Sequence, residues 1–295
     1  MIKPMIVRFP GENDKTIREA KLFIESKPWV NFAFLYQPER IDFLKLALNA
    51  LSIWPVDKLM ITVTVNEIDD KNALLELKEQ LIDVNQNVVL KPINITGKDP
   101  RILQWEHKKD MAEFLQSEYT HFIYSDADLV INYHVIDYWL KTKEMFDKYQ
   151  TGFIPGTFRY EYYQGIDFTI DTTYRTALST LKIVSINEQL FFSPQEPFQG
   201  ISIMDREMVS EHLNSPYANL DSVGVQGFGY GETAISGYIF HNPPLDFIHR
   251  ILIPIDDYRK CWVLHLPNNY AANPYKEHGK IHAHTMFRTI KNQTR

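Results

Sequence analysis

The run His121-Phe122-Ile123-Tyr124 leads straight into Ser125-Asp126-Ala127-Asp128, and a second apolar run, Leu129-Val130-Ile131, follows. A short apolar run of this kind reads as a buried strand of a parallel sheet. Aspartate is a poor strand former, so the strand is predicted to end near Ser125. Two carboxylates then sit at the carboxyl end of a strand, where open α/β sheets bind ligands. Spaced i and i+2 on chain that is no longer flat, they can converge on one hard cation. Mg²⁺ and Mn²⁺ favour such oxygen ligands and keep substrate phosphates in their remaining positions. An Asp-x-Asp triplet is short and also arises by chance, so the rest of the chain has to support it.

The preceding residues do so by alternating strand and helix. Trp29–Tyr36 is an apolar, aromatic run and reads as the first strand, broken by Gln37-Pro38-Glu39-Arg40. Ile41–Leu51 has helical spacing, with Phe43, Leu44, Ala47, Leu48 and Leu51 on one face. Lys58–Val65 is predicted as a strand, Asn72–Leu81 as a helix, Val88–Leu90 as a short strand and Ile102–Leu115 as a helix. Upstream, residues 16–26 are expected to form a helix with Ile17, Leu22, Phe23 and Ile24 inward. Such alternation favours a parallel sheet flanked by helices. There is no Gly-x-Gly-x-x-Gly after the first strand and no Gly-Lys-Ser/Thr loop, which argues against a dinucleotide fold and a P-loop.

The second half is patterned differently. A helix is predicted over Tyr133–Tyr149 and a short strand over Phe153–Phe158, while residues 159–180 are polar, aromatic and weakly patterned. Pro197–Met204 reads as a strand interrupted by Gly200, a mark of close backbone approach to a ligand. Asp205 is a good N-cap for a helix to Leu213. Gly227–Thr233 is a glycine-rich turn entering a helix to Phe240, and Trp262–Leu266 is the last strand.

Composition narrows the function classes. With 31 Lys and Arg against 37 Asp and Glu, the net charge is −6, and no basic block is present, so nucleic-acid binding is not expected. The single cysteine, Cys261, excludes an intrachain disulfide and fits a reducing compartment. No signal peptide and no stretch of 18 apolar residues is visible, so a cytoplasmic protein is expected.

The order of parts resembles the GT-A glycosyltransferases, nucleotide-sugar enzymes built on one doubly wound sheet. Asn31–Tyr36 with Arg40 resembles their first strand and nucleoside loop, and Ser125-Asp126-Ala127-Asp128 resembles their Asp-x-Asp metal motif. Phe198-Gln199-Gly200-Ile201-Ser202 resembles the glycine-containing strand beside the donor sugar, and Gly229-Tyr230-Gly231-Glu232-Thr233 the acidic turn on the acceptor side. That turn departs from the common pattern, with Glu232-Thr233 in place of Glu-Asp. The likeness implies an α/β fold: a single doubly wound, mostly parallel sheet flanked by helices, with a mixed acceptor-side half. One domain over 1–295 is expected, with a nucleotide-binding half at 29–132, an acceptor-side half at 133–285 and a tail at 286–295.

The resemblance also implies roles. Asp128, and Asp126 directly or through water, would hold Mn²⁺ or Mg²⁺, with a late histidine, His265, completing the shell. Tyr36, Arg40, Asp126, Gly200 and Lys280 would contact the donor, a nucleotide-diphosphate sugar that is UDP-linked. Glu232 would be the base of an inverting transfer to a glycan or glycoconjugate hydroxyl, as in polysaccharide biosynthesis. Its plainer reading is a carboxylate favouring a helix N-terminus. His265 has a plainer reading as a half-buried, hydrogen-bonded histidine, and Lys276 and Lys280 read equally as parts of a solvated tail. His282 and His284, facing one way on a strand, are weaker rivals for the metal. His107 and Lys108 are expected at the surface. A lipid-linked acceptor would bring peripheral membrane contact. Two other functions remain open: a nucleotidyltransferase acting on a sugar phosphate, although Gln37-Pro38-Glu39-Arg40 lacks the glycine such a loop carries, and a non-catalytic glycan-binding module.

Overall fold

The computed structural model describes residues 26–224 and 227–293. The helix expected over residues 16–26 falls, but for Ser26, outside them. Along the chain come β1 (Pro28–Phe34), α1 (Ile41–Leu51), β2 (Met60–Asn66), α2 (Lys71–Val84), β3 (Val88–Ile93), α3 (His107–Phe114), β4 (His121–Asp126) and β5 (Leu129–Val130). Then follow α4 (Tyr133–Lys148), β6 (Ile154–Pro155), β7 (Phe158–Tyr163), β8 (Ile166–Thr169), β9 (Ile183–Ile186) and β10 (Gln189–Phe192). The remainder is β11 (Ile201–Asp205), α5 (Arg206–Leu213), α6 (Tyr230–Ser236), β12 (Ile251–Pro254), β13 (Trp262–His265), β14 (Ile281–His282) and α7 (Ala283–Asn292). Among the described residues two compact units result: 26–133 with 200–224 and 227–237, and 134–199 with 238–293.

The first unit carries a five-stranded sheet in the order β11-β4-β1-β2-β3. β1, β2, β3 and β4 are parallel, and β11 runs antiparallel on β4 with Ile201 opposite Ser125. Trp29, Val30, Phe32, Ile61, Val63, Phe122 and Ile123 are fully buried, as strands covered on both faces require. Two pairs of buried polar side chains bond each other between β1 and β2. Trp29 Nε1 donates to Thr62 Oγ1 at 3.0 Å and Asn31 Nδ2 to Thr64 Oγ1 at 2.9 Å. Asn31, expected to help hold a nucleoside, is therefore core. α1 buries Leu44, Ala47, Leu48 and Leu51, and α2 starts on Asp70, whose Oδ1 accepts the Asn72 N–H at 2.8 Å.

The helix expected over Ile102–Leu115 divides. Pro100–Trp105 winds as a 3₁₀ turn capped by Asp99, and α3 begins at His107. In a 3₁₀ turn residues i and i+3 eclipse, so Arg101 and Gln104 project from one side.

The second unit has a mixed strand arrangement. One sheet has the order β6-β12-β10-β9, and β14-β8-β7-β13 form neighbours in another. The weakly patterned segment 159–180 holds the β7–β8 hairpin, and β9–β10 is a second hairpin. Their two-residue turns, Gln164-Gly165 and Asn187-Glu188, have φ of 51° and 82°, and 49° and 64°. Positive φ at both positions belongs to the type I′ turn that matches strand twist. Phe146, Phe153, Ile186, Phe191 and Leu252 form a core cluster. Residues 286–295, set apart in the sequence as a tail, lie largely in α7, which buries Ala283, Met286, Phe287 and Ile290. That i, i+3, i+4, i+7 spacing is the sequence signal for it.

Candidate active site

The strand order reverses between β1 and β4: β2 and β3 continue to one side of β1, while β4 lies on the other. Ligands of open α/β sheets bind outside the carboxyl ends of strands at such a switch point. The residues leaving these two strands meet there. After β1, the Tyr36 N–H donates to Asn66 Oδ1 at 2.7 Å, which fastens the loop to the end of β2. Pro38–Arg40 then makes one 3₁₀ turn, and the Arg40 guanidinium forms an ion pair with the Asp128 carboxylate. Asp128 is largely buried.

Asp126 is the last residue of β4, one position beyond the expected strand end. Its Oδ1 accepts the Tyr124 hydroxyl at 2.9 Å and Gln104 Nε2 at 3.3 Å. Its N–H donates to Gly200 O at 2.9 Å. Gly200 has φ 62°, a left-handed backbone that costs glycine little and that brings β11 alongside Asp126. The interrupted strand thus starts after the glycine, at Ile201.

The turn that opens α6 is held against the 3₁₀ turn. Trp105 Nε1 donates to Tyr230 O at 2.9 Å, and the Arg101 guanidinium lies 5.6 Å from the Tyr230 ring centroid. A Cβ on Gly231 would come within 2.0 Å of Gln104 Oε1, so this glycine is what lets the two turns close. Glu232 sits in the first helical turn. Arg101 is fixed by Asp99, with Nε to Oδ1 at 2.9 Å and Nη2 to Oδ2 at 2.6 Å. Those bonds raise the Arg101 pKa, the Glu232 charge adding a smaller part, and hold Asp99 down to about 2.

His107 and Lys108 are not at the surface. Both are buried, because α3 packs its first turn inward. His107 Nδ1 lies 2.5 Å from Gln104 O, and its ring is 4.7 Å from that of Tyr124. Burial, helped by the Lys108 charge, lowers its pKa to about 3. Lys108 Nζ donates to Tyr217 O at 2.8 Å and lies 3.9 Å from the Trp105 ring centroid. Burial lowers the Lys108 pKa to about 7.

Arg40, Asp126, Asp128, Gly200 and the Tyr36 loop are thus joined at one switch point, and Gln104, bonded to Asp126, lies against Gly231 in the turn that carries Glu232. The other expected residues belong to the second unit and have partners there. His265 Nδ1 lies 2.7 Å from Glu161 Oε1, both side chains buried. Glu161 also accepts the N–H groups of Tyr270 at 3.1 Å and Ala271 at 2.5 Å. Lys280 Nζ donates to the carbonyls of Tyr270 at 2.8 Å, Ala271 at 3.3 Å and Asn273 at 2.6 Å. Its three N–H groups therefore close the 270–273 loop. Lys276 lies 5.8 Å from the Tyr270 ring centroid. His282 ends β14 while His284 lies in α7, so they do not share a strand; His284 Nδ1 is 2.8 Å from the Tyr258 hydroxyl. Sequence reading missed Arg101 and Tyr124, which bond carboxylates only two residues away, and Gln104 and Glu161, whose partners Asp126 and His265 are remote in the chain.

The carboxylate pair fits a hard divalent cation by its chemistry. Asp126 and Asp128 offer oxygens at a strand end, and Arg40 would have to share Asp128. Among the described residues no three His, Cys, Asp or Glu gather as a metal shell, so this pair would leave most positions to substrate oxygens.

Fold and site together define an α/β protein with a mostly parallel sheet, a carboxylate pair at its switch point and an acidic glycine turn beside it. This is the architecture that the GT-A resemblance implies. No protein-family model matches the chain, and no curated protein matches its sequence. Among solved structures it is similar to M. tuberculosis glucosyl-3-phosphoglycerate synthase, with 14% identity and a TM-score of 0.41 over 97% of this chain and 85% of that one. It is also similar to residues 1–349 of S. aureus TarS, with 13% identity and a TM-score of 0.37 over 82% of this chain and 61% of that one. At such scores neither likeness bears on substrate or mechanism. Among the described residues no helix is long and apolar enough to cross a membrane.

Proposed function

We propose that this chain is a metal-dependent glycosyltransferase. It moves a hexose from a UDP-linked donor to a hydroxyl of a glycan or glycoconjugate, with inversion. One observation carries the reading: Asp126 and Asp128 leave β4 at the switch point of a parallel sheet, and Asp128 is tied to Arg40 from the loop after β1. A cation held by the two carboxylates would neutralise charge developing on the departing diphosphate. Tyr36 and Arg40 flank the nucleotide. Gly200 presents only backbone beside Asp126, which leaves room for the donor sugar. Glu232 takes the proton from the acceptor hydroxyl, as a carboxylate base can. The buried cysteine fits a cytoplasmic setting, where a precursor glycan, soluble or lipid-linked, is the acceptor.

The test is to incubate the purified chain with a panel of nucleotide sugars, with and without Mn²⁺, and to follow nucleoside diphosphate release. Mn²⁺-dependent release from one donor is expected. Pyrophosphate release from a nucleoside triphosphate and a sugar phosphate would instead identify a nucleotidyltransferase. Glycan binding without turnover would identify a binding module.

A further inference from the structure

We infer that Gln104 is a positioning residue that couples the carboxylate pair to the turn carrying Glu232. The inference rests on the reading of that site as a donor and acceptor site. The two ends of one amide serve two elements. Nε2 donates to Asp126 Oδ1 at 3.3 Å, joining the Tyr124 hydroxyl on the same oxygen. Oε1 lies against Gly231, where a Cβ would stand 2.0 Å away. Gln104 can hold both because its backbone is fixed from behind: its carbonyl meets His107 Nδ1 at 2.5 Å, and its neighbour Trp105 bonds Tyr230 O. A shift of the α6 turn is thereby transmitted to the rotation of the Asp126 carboxylate, and the reverse.

The geometry makes a specific demand. Any side chain at 231 must displace the Gln104 amide, so Gly231→Ala should act on Asp126 from a residue that does not touch it. Gln104→Met keeps most of the bulk and removes the donor. It is expected to weaken the Mn²⁺-dependent part of UDP affinity, read by calorimetry, by about tenfold, the order of one charge-assisted hydrogen bond. Its thermal midpoint should stay within a few degrees of wild type. Gly231→Ala should weaken the same affinity to a similar degree. The double variant Gln104→Ala/Gly231→Ala should be no worse than Gln104→Ala, since the space the new methyl needs is already vacated. A donor KM that rises more than kcat falls is expected for Gln104→Met.

Wild-type affinity in Gln104→Met would overturn the inference. So would full additivity of Gln104→Ala and Gly231→Ala. The same cycle read in thermal midpoints needs no ligand and tests the Gln104–Gly231 contact by itself. If wild type showed no Mn²⁺-dependent UDP affinity, the proposed function would fail, and additive thermal midpoints would then reject the coupling as well.

Discussion

Asp126 and Asp128 stand two residues apart but in different company. Asp128 faces a guanidinium, whereas Asp126 faces a tyrosine hydroxyl and an amide. Asp128→Asn removes the charge that would bind a cation and releases Arg40. We expect it to cut the Mn²⁺-dependent gain in UDP affinity at least about tenfold, because contacts to charged groups are worth roughly 1.5–3 kcal/mol. Unchanged affinity in calorimetry would remove Asp128 from the metal site. Glu232→Gln keeps shape and loses basicity, so turnover should fall ~10²–10⁴-fold while donor affinity survives. Near-normal turnover would leave Glu232 as a helix-end carboxylate. His107 provides a pH signature. Burial holds its folded pKa at about 3 against an ordinary 6.5, so between these values the unfolded chain binds the extra proton. Stability should therefore fall as pH drops below about 6.5, by at most about 1.4 kcal/mol per pH unit. Denaturant midpoints between pH 7 and pH 4 check this, and His107→Gln should flatten the slope.

Among the elements, the 3₁₀ turn at Pro100–Trp105 and the helix α7 each fix side chains that their units depend on. The turn brings Arg101 and Gln104 to one side, toward the start of α6. An α-helix would place residues three apart about 60° away from eclipse, so the tighter winding matters to the site. α7 packs into the second unit through Ala283, Met286, Phe287 and Ile290, and Phe287 makes its ring contacts. Phe287 stacks on Tyr258 with ring centroids 3.9 Å apart and an interplanar angle of 5°, and meets Phe158 and Phe192 at 5.1 and 5.8 Å. Phe287→Ala is expected to cost about 3–5 kcal/mol in urea unfolding, as for other buried phenylalanines. A loss below ~1 kcal/mol would mean that α7 is not part of the core.

Across the molecule, the first unit is assembled from two distant stretches of chain. β4 receives its second neighbour, β11, only after the second unit's residues 134–199 have intervened. A fragment of residues 26–133 would therefore expose the edge of β4, a buried apolar strand. Unpaired edges of that kind drive association. The fragment is expected to aggregate or populate oligomers in size-exclusion chromatography. A monomeric fragment that unfolds cooperatively would show that β11 is dispensable.

Local pattern in the sequence determined β1, β2, β4, α1, α2 and α4, because a buried run or a helical stripe is a property of neighbouring residues. It also determined that two carboxylates would stand at the end of β4. Other features depend on groups far apart in the chain, whose meeting no periodicity encodes. Gln104 reaches Asp126 from 22 residues away, and Glu161 reaches His265 from 104. The latter contact gives His265 a buried carboxylate partner, and the carbonyls around Lys280 likewise occupy its ammonium group. The type I′ turns at Gln164-Gly165 and Asn187-Glu188 lack the Asn-Gly signal, and pairing of the flanking strands is what holds Gln164, Asn187 and Glu188 at positive φ. Tertiary structure decided these because each contact repays its loop-closure cost only once the sheet is in place.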